Sequence, residues 1–518
     1  MKIGKKSASH AVGIVDLFSG PGGLGEGFSA FETESGEHPY QIQVSIEKEP
    51  SAHSTLLLRS FLRKFGDDFP KEYYDFLNGQ TNEPDWGAIY PAQWKAAREE
   101  ALCMALGDDD TRRVLSAKIR KIKKDFDDRT LLIGGPPCQA YSLAGRSRNA
   151  GKADYVAHLD ERNFLYEEYV NVLAELEPMA FVMENVKGML SASIKGQEIF
   201  SRVKADLESA GRYGGYKLFA LAVEAESARS NPGPGDFIIR AEEYAIPQAR
   251  HRVIIIGIRK DIADSLDPRC LPSLRMSKVQ ETVERMILGM PELRSGLSKG
   301  DTADGWQTAV IEAVVLVKNS CTNFSRDESQ KLQAELTKLK SRLLEHGNLA
   351  RFPSGVGLKP TCAPRLRNWI VDSRLRILPN ADTRGHMRSD LARYVFASIF
   401  GAVFEKSPSA SEFPEALAPA HKNWKSGKFA DRFRVQTRGK PSTTITSHIS
   451  KDGNYFIHPD PAQCRTLTVR EAARLQTFPD NYFFKGNRTQ QYVQVGNAVP
   501  PYLAFQIASA LWLLFARD

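Results

Sequence analysis

The stretch TLLIGGPPCQAYS, Thr130 to Ser142, joins a short apolar run to two glycines, two prolines and a cysteine. An apolar run of this length, bounded by Gly and Pro, favours a buried parallel strand in an α/β sheet. Such sheets bind their ligands outside the carboxyl ends of the strands. The pattern therefore predicts that Cys138 lies at the mouth of a site. The alternative is a structural cysteine that packs as a small apolar side chain.

Six short runs rich in β-branched residues alternate with helical patterns from Ala11 to Arg259. They are AVGIVDLF (11–18), QIQVSIE (41–47), TLLIGG (130–135), MAFVMEN (179–185), KLFALAVEA (217–225) and RVIIIGIR (252–259). This alternation is typical of βαβ units. We therefore predict an α/β fold with a doubly wound, mostly parallel sheet. The polar segment 66–129 is longer than a simple crossover needs, and we interpret it as a partly helical insertion.

The pattern changes after Arg259. Residues from about 260 to 464 show no βα alternation, and they contain a charged helical pattern (DESQKLQAELTKLKSRLLEHG, 327–347), an arginine-dense stretch (RLRNWIVDSRLR, 365–376) and the polar run PSTTITSHIS (441–450). We predict a second, smaller domain here. The chain then closes with an apolar helical pattern, YLAFQIASALWLLFA (502–516).

Composition limits the class of protein. The 518-residue chain is 42% hydrophobic and has a net charge of +8, which favours a polyanionic partner, although so small an excess also serves solubility. The six cysteines form no CxxC pair and no Cys/His cluster at zinc spacing, so we expect reduced thiols and no structural metal. The basic start leads into no signal-type apolar core, and no apolar run approaches about 18 residues. We expect a soluble, cytoplasmic protein with no membrane partner.

Glycines follow the first predicted strand in DLFSGPGGLGEGF, Asp16 to Phe28. Glycine permits a tight turn and lets a ligand approach the amides at a helix amino terminus. The spacing differs from GxGxxG, but Glu47 ends the second predicted strand and supplies an acid for a ribose, at a longer separation than usual. The loop favours an adenosine-type ligand. A tight turn that binds nothing is the alternative.

Two more motifs place charged residues at strand ends. Glu184, in ENV, should reach the same sheet edge as Cys138, where an acid beside a thiol nucleophile can protonate the ring under attack. The alternative is a helix cap or a surface acid. Arg250 and Arg252, in QARHR, enter the last predicted strand and suit phosphate or carbonyl recognition. The alternative for them is a solvated strand face.

Taken together, the motifs closely resemble those of the DNA (cytosine-5) methyltransferase family, of the bacterial restriction–modification or defence type. DLFSGPGGLGEGF, GGPPCQAYS, MENV, QARHRV, RTLTVREAARLQTFP and QVGNAVPP occur in the family's order between Asp16 and Pro501. The resemblance implies a Rossmann-like class I methyltransferase fold. It implies a catalytic domain that binds S-adenosylmethionine at 1–260, completed by 480–518, and a target-recognition domain at 261–479.

The resemblance also implies site residues. Cys138 matches the nucleophile that attacks carbon 6 of cytosine, Glu184 would hold the base at ring nitrogen 3 and its amino group, and Arg252 and Arg250 would contact the cytosine or its phosphate. The residues implied to bind S-adenosylmethionine are Phe18, Gly20, Gly22, Gly23, Glu47, Leu165, Asn497 and Val499. The family's acidic residue near the adenine corresponds to Asp108, Asp109 or Asp110, and the register between these three stays open.

The function implied is methyl transfer to carbon 5 of a flipped-out cytosine in a short, specific double-stranded DNA sequence, through a covalent Cys138 adduct. We expect Arg365, Arg367, Arg374, Arg376 and the run PSTTITSHIS to contact DNA, mostly at phosphates. A cognate restriction endonuclease or other defence-system proteins are candidate partners, and a monomer is the default.

The sequence leaves three alternatives to this function. The first is the same cytosine-5 methylation with tRNA as the substrate, but the large variable region favours recognition of a sequence in double-stranded DNA. A non-catalytic DNA-binding protein on this scaffold would not need Cys138, Glu184 and both arginines intact. A nicotinamide-dependent oxidoreductase would share the glycine loop but has no use for a prolyl-cysteine nucleophile.

Overall fold

The computed structural model describes residues 11–137, 164–194, 197–222, 232–345, 349–419, 424 and 432–516. The β-strands within these ranges are β1 (Val12–Leu17), β2 (Tyr40–Glu47), β3 (Ala101–Cys103), β4 (Thr130–Gly134), β5 (Ala180–Val186), β6 (Ser193–Ile194), β7 (Gln197–Glu198), β8 (Tyr216–Phe219), β9 (Ile238–Arg240), β10 (Gln248–Ala249), β11 (His251–Arg259), β12 (Gly296–Leu297), β13 (Gly385–His386) and β14 (Ser442–Thr443).

The α-helices of the same ranges are α1 (Gly23–Ser29), α2 (Pro50–Arg63), α3 (Lys71–Leu77), α4 (Trp86–Ile89), α5 (Pro91–Glu100), α6 (Asp109–Phe126), α7 (Phe164–Leu176), α8 (Ile199–Ser209), α9 (Lys260–Ala263), α10 (Val283–Ile287), α11 (Ala303–Ser320), α12 (Arg326–Glu345), α13 (Pro364–Ile370), α14 (Arg388–Phe404), α15 (Val469–Leu475), α16 (Arg488–Asn497) and α17 (Pro501–Phe515).

One eight-stranded sheet organises the first half of the chain. Its order is β3-β2-β1-β4-β5-β11-β8, with β9 also paired to β11. Strands β1 to β5 run parallel, whereas β11 pairs antiparallel with β5, β8 and β9. The predicted α/β class and the mostly parallel sheet are confirmed.

The two faces of the sheet bury alternate residues of each strand. Along β11, Ile254 and Ile256 join one apolar cluster, and Val253 and Ile255 join the cluster on the other face. Because successive side chains of a strand point to opposite faces, a strand covered on both sides reads as a continuous apolar run. This is why the run RVIIIGIR was a clear sequence signal.

The segment 66–129 is only in part the insertion that we predicted. Strand β3 pairs with β2 at the edge of the sheet, and Leu115, Ile119 and Ile122 of α6 join the apolar cluster on one face of the sheet, where α6 contacts β1 and β4. This stretch therefore belongs to the α/β unit. A strand of three residues is too short to show a periodic pattern. Helices α3 to α5 are the inserted part, and they bury aromatic residues such as Tyr73 and Trp86 in a cluster of their own.

The closing helix α17 packs on α1, beside the first glycine motif. The Tyr40 hydroxyl donates to the Ala508 carbonyl at 2.9 Å, and a Cβ at Gly27 would come within 2.4 Å of the Pro501 carbonyl oxygen. Within the described residues, one 28-residue helical stretch, Arg488–Phe515, is long and apolar enough to cross a membrane, and its most apolar window is 67% buried in the protein. A buried core helix gives the same signal.

Helices α11, α12 and α14 form a separate helical core around Trp306, Leu336 and Phe396. Other parts of the same region, including Met286 and Leu467, pack into the cluster on one face of the sheet. The domain boundaries at 260/261 and 479/480 stay a prediction.

Candidate active site

A cavity of about 620 Å³ opens at the carboxyl ends of β1, β2, β4 and β5. Eight of the twelve residues that the sequence predicted for the site line it: Phe18, Gly20, Glu47, Leu165, Glu184, Arg250, Arg252 and Asn497. Cys138 lies outside the described residues, but Pro136 and Pro137, which immediately precede it, line the cavity. The structure therefore brings the predicted cofactor loop and the predicted cytosine-binding residues to one space.

The glycine loop and Glu47 form one wall. The backbone amide of Gly20 donates to Glu47 Oε2 at 2.9 Å, and the amide of Glu49 donates to Oε1 at 2.8 Å. Phe18 and Gly20 both have left-handed backbones, with φ of 56° and 57°. Such a conformation is uncommon for a non-glycine residue and often marks a functional turn. The two amides fix the Glu47 carboxylate at the cavity, while each oxygen keeps a second lone pair for another donor.

Gly22, Gly23 and Val499 are not among the cavity-lining residues. A Cβ at Gly23 would lie 2.4 Å from the Val499 carbonyl oxygen, and one at Gly22 would lie 3.0 Å from the Tyr482 hydroxyl. These glycines permit close packing between the loop and the carboxyl-terminal segment. This close packing by itself favours glycine at positions 22 and 23. The role of these glycines and of Val499 in cofactor binding stays a prediction.

The acids proposed for the adenine also lie outside the set of cavity-lining residues. Asp108 is the N-cap residue of α6, while Asp109 and Asp110 in its first turn pair with Arg112 and Arg113. The residues from this segment that line the cavity are instead Met104 and Leu106. The part of the cavity wall that this segment supplies is therefore apolar, and the role of the three acids stays a prediction.

Glu184 and Arg252 form an ion pair at another part of the cavity wall. Arg252 Nε lies 2.9 Å from Glu184 Oε1, and the two side chains are only 15% and 14% exposed. Burial lowers the pKa of Arg252, and the Glu184 carboxylate opposes that shift. A Cβ at Gly135 would lie 3.0 Å from Glu184 Oε2. The glycine before the two prolines therefore gives the carboxylate the room to reach this loop.

Asn185, next to Glu184, holds the same loop. Its side-chain nitrogen donates to the Pro136 carbonyl at 3.1 Å, and its oxygen accepts from the Val186 amide at 2.8 Å. The side chain is buried. Asn185 thus ties the end of β5 to the residues that lead to Cys138, a role that sequence reasoning missed although Asn185 is part of the quoted motif.

Arg250 is almost fully buried, although it lines the cavity. Its guanidinium donates to the Ile445 carbonyl at 2.8 Å and to the Gly496 carbonyl at 3.4 Å, and its Nε has no partner within the described residues. Burial, followed by the neighbouring Arg252, lowers its pKa well below the usual range. Arg250 therefore braces three segments that meet at the cavity. Direct contact with a base or phosphate stays a prediction.

Two buried glutamines, Gln248 and Gln476, link the same segments through further hydrogen bonds. The Gln248 side-chain amide donates to Gln476 Oε1 at 2.8 Å, and Gln476 donates to the Val495 and Ala498 carbonyls at 2.7 and 3.0 Å. The Ile445 amide donates to Gln248 Oε1 at 2.9 Å. Three motifs that are far apart in sequence are thereby joined. An isolated glutamine gives no periodic signal, so sequence reasoning missed both residues.

RTLTVREAARLQTFP (465–479), here called the arginine motif, lies in the interior and not at the cavity. Arg465 binds Glu471 through two contacts of 2.7 Å, and Arg474 binds Asp480 through two contacts of 2.8 Å. Arg470 donates to backbone carbonyls, including that of Tyr482 at 2.6 Å. The motif is a network of paired charges that assembles the protein.

Asp16, at the end of β1, is a buried acid that pairs with no arginine within the described residues. It is fully buried, and neither carboxylate oxygen has a hydrogen-bond partner within the described residues. Burial raises its pKa to about 7. This carboxyl group therefore holds a proton over much of the acidic to neutral range.

The arginines predicted to contact DNA differ in their surroundings. Arg374 donates to both carboxylate oxygens of Asp372 at 3.1 Å, and its guanidinium lies 4.4 Å from the centre of the Tyr74 ring in α3. It thus joins the insertion to the second region. Arg365 is exposed. The DNA contacts of this stretch stay a prediction.

Comparison with known proteins identifies the family of the chain. The sequence profile of the family described as C-5 cytosine-specific DNA methylase matches residues 110–512. The chain is similar to the type II methyltransferase M.Bpa9945I of Bacillus paralicheniformis, with 31% identity over 96% of this chain and 98% of that protein. It is also similar to the DNA (cytosine-5-)-methyltransferase M.ApeKI of Aeropyrum pernix, with 27% identity over 74% of this chain and 81% of that protein.

A solved structure supports the fold. It is that of a candidate DNA modification methyltransferase encoded within an E. coli prophage, which matches 98% of this chain and 100% of its own with a TM-score of 0.50 and 18% identity. At this identity the likeness concerns the fold alone. The extent of the family match and the similarity over nearly the whole chain decide the assignment. The chain therefore belongs to the family of C-5 cytosine-specific DNA methylases, and it is a DNA (cytosine-5-)-methyltransferase.

Proposed function

We propose that this enzyme transfers a methyl group from S-adenosylmethionine to carbon 5 of a cytosine that is flipped out of a short, specific double-stranded DNA sequence. The observation that carries the proposal is the shared cavity. It joins the glycine loop and Glu47 to the Glu184–Arg252 pair and to the prolines that precede Cys138. A methyl donor and a nucleobase need two such compartments within reach of each other.

The first compartment fits S-adenosylmethionine, which when bound supplies the methyl group as a carbon electrophile. The Glu47 carboxylate, held by two backbone amides, can accept hydrogen bonds from ribose hydroxyls. Phe18, Met104, Leu106 and Leu165 give the cavity apolar surface that suits a nucleoside. A Cβ at Gly20 would meet nothing within 4 Å, so a ligand can approach the backbone there.

The second compartment fits a cytosine. The Glu184 carboxyl group can accept from the amino group of the base and share a proton with ring nitrogen 3. Its ion pair with Arg252 at 2.9 Å orients the carboxylate, and the buried setting strengthens both interactions. Protonation at nitrogen 3 withdraws electrons from the ring. That makes carbon 6 a better electrophile for a thiolate.

Cys138 would supply the thiolate. In the proposed step, the sulfur forms a bond to carbon 6, and the electron pair of the 5,6 double bond moves to carbon 5. Carbon 5 then takes the methyl group, whose bond to the donor sulfur breaks, leaving S-adenosylhomocysteine. A base removes the proton from carbon 5, the double bond returns and the bond between sulfur and carbon 6 breaks. Asn185, through its hydrogen bond to the Pro136 carbonyl, is positioned to hold the loop that carries this cysteine.

A cytosine within a base-paired stack cannot present both faces of its ring to such a cavity, so the proposal requires that the base leaves the duplex. Because relatives of this chain are named type II methyltransferases, we propose a restriction endonuclease of the same DNA specificity as a functional partner. We place the reaction in the cytoplasm and propose that a monomer carries it out.

Covalent trapping tests the proposed chemistry. A fluorine at carbon 5 cannot leave as a proton does, so duplex DNA with 5-fluorocytosine in place of cytosine in one strand should hold the adduct. We expect a protein–DNA complex that survives denaturing electrophoresis and depends on S-adenosylmethionine. Cys138→Ala should abolish it, and Cys103→Ala, at an exposed cysteine, should leave it intact. A complex that persists in Cys138→Ala would assign the nucleophile elsewhere, and the absence of any complex would remove the covalent route.

A further inference from the structure

A second cavity, of about 310 Å³, lies beside the first. It is lined by Arg434, Thr443, Thr444, Thr446, His448, Tyr455 and Phe456. The proposed methyl transfer uses none of these residues. The cavity combines one guanidinium with hydroxyl groups and aromatic rings, a combination that suits a polar, planar ligand.

The two cavities share part of one wall. Thr446 lines both of them. Strand β14, which carries Thr443, pairs with β10, and the Thr444 hydroxyl donates to the Ala249 carbonyl at 2.6 Å. Ala249 is followed directly by Arg250, a residue of the first cavity. A ligand in the second cavity therefore lies next to the position proposed for the cytosine.

This proximity limits what the ligand can be. Successive nucleotides of one DNA strand are about 3.4 Å apart along the helix axis. A flipped-out cytosine stays joined to these neighbours through the sugar–phosphate backbone, so two sites that share a wall residue are within reach of neighbouring nucleotides of the same DNA. If the first cavity receives a target cytosine, the second is positioned to receive a base close to it in the sequence.

The chemistry of the lining favours one base. Guanine presents two acceptors, N7 and O6, which an arginine binds through two parallel N–H groups. Adenine is usually read by Asn or Gln and cytosine by Asp or Glu, and the described residues that line this cavity include none of these four types. Tyr455 and His448, whose rings are 5.5 Å apart and nearly perpendicular, add aromatic surface.

We propose that the second cavity holds a guanine adjacent or close to the target cytosine, and that Arg434 reads it. The proposal rests on the proposed function, because it needs a cytosine in the first cavity. Arg434 is then a residue that determines which DNA sequence is methylated. Its backbone is held independently of its side chain, since its amide donates to the Asn454 carbonyl at 2.8 Å and its carbonyl accepts from the Ile457 amide at 2.9 Å.

The test compares sequence contexts. The full chain, Arg434→Ala, Arg434→Lys and the control Arg388→Ala are each expressed with a plasmid in a host that lacks cytosine methylation, and the plasmid is sequenced after bisulfite treatment. Arg388 is an exposed arginine of the same region that pairs with Glu312. Thermal unfolding and S-adenosylmethionine binding are measured for each protein to exclude misfolding.

We expect the wild-type protein and Arg388→Ala to share one context with a fixed guanine near the methylated cytosine. Both Arg434 variants should lose the preference for that guanine by about 5- to 150-fold, because a lysine keeps the charge but not the paired N–H groups. An unchanged context in both variants overturns the proposal. So does a uniform loss of methylation that Arg434→Lys restores, since this is the behaviour of a phosphate contact.

These results are distinct from failure of the proposed function. Methylation by the wild-type protein tests that function alone, and the variants test the reading of the guanine. A wild-type context without any fixed guanine near the cytosine also contradicts the inference, although it leaves the methyltransferase activity established.

Discussion

The cavity edge at Glu184, Arg250 and Arg252 and the arginine motif both contain buried charges, but their charges have different partners. In the arginine motif, Arg465 and Arg474 each bind a carboxylate through two contacts. At the cavity edge, Arg250 has only backbone carbonyls for partners within the described residues, and Glu184 faces the cavity. The comparison separates arginines that are neutralised by a carboxylate in the interior from the Glu184–Arg252 pair, which lines the cavity, with Arg250 held between them by backbone carbonyls.

The physical reason is the cost of removing a charge from water. Such a charge is tolerated when another charge or several hydrogen bonds compensate for the lost solvation. The arginine motif is compensated internally, which is why its loss should destabilise the fold. At the cavity edge, contacts within the protein compensate only part of the lost solvation. Hydrogen bonds to a bound ligand can supply the remainder. Mutations in the two regions should therefore change different observables.

The largest effect is expected for Glu184→Gln. The amide keeps the size of the side chain and an acceptor for Arg252 but cannot transfer a proton, so the rate of methyl transfer per folded molecule should fall by roughly 10²- to 10⁴-fold. Steady-state methyl incorporation measures the effect. Glu99→Gln, at an exposed acid, is the control. A variant with normal turnover would place Glu184 outside the chemistry.

Arg474→Ala should have the opposite signature. It leaves the buried Asp480 carboxylate without its partner, and the expected loss is about 3–5 kcal/mol in the free energy of unfolding. Activity per folded molecule should be retained at low temperature. Chemical denaturation and a methylation assay on the same sample measure both. Normal stability combined with lost turnover would erase the distinction between the two regions.

Asp16→Asn extends the comparison to a third case. The buried Asp16 carboxyl group has neither an ion-pair partner nor a hydrogen-bond partner within the described residues. Burial raises its folded-state pKa to about 7 from 3.8, so the folded protein retains a proton that the unfolded chain has lost. The stability of the wild-type protein should therefore fall as the pH rises from about 4 to 7. Between pH 5 and 8, the variant should gain roughly 3 kcal/mol relative to the wild type in chemical denaturation. A constant difference across this range would contradict the assigned protonation.

Phe18→Ala should give the smallest effect, on the apolar side of the cavity. Loss of partly buried aromatic surface should weaken S-adenosylmethionine binding by roughly tenfold, about 1.4 kcal/mol, without changing the DNA sequence that is methylated. Titration calorimetry measures the binding. Phe65→Ala, in the aromatic cluster of the insertion, provides a control for loss of an aromatic ring elsewhere. Equal affinity of the wild type and Phe18→Ala would move the cofactor to another part of the cavity.

Much of the α/β unit was predictable because its strands are buried on both faces. The predicted run RVIIIGIR is β11 within one residue, and the closing apolar pattern is α17. Strand β3 was missed, since three residues show no periodicity, and the predicted run KLFALAVEA was too long, since β8 ends at Phe219. Local patterns predict long buried elements better than short edges.

The site was predictable where a residue's chemistry is recognisable from its type and its place at a strand end. Glu184 and Glu47 meet both conditions, and both line the cavity. Gln248 and Gln476 were missed, because their function depends on a hydrogen bond between residues 228 positions apart. The arginine motif was recognised as a motif but not as a structural network, since arginines that bind a substrate and arginines that bind a buried acid look the same in sequence.

The most direct test of the central claim is bisulfite sequencing of plasmid DNA from a host without cytosine methylation, after expression of this protein, Cys138→Ala or Cys103→Ala. We expect protected cytosines in one recurrent sequence context with the wild-type protein and with Cys103→Ala, and none with Cys138→Ala. Protection that persists in Cys138→Ala would contradict the account, and so would a folded wild-type protein that binds S-adenosylmethionine and protects no cytosine.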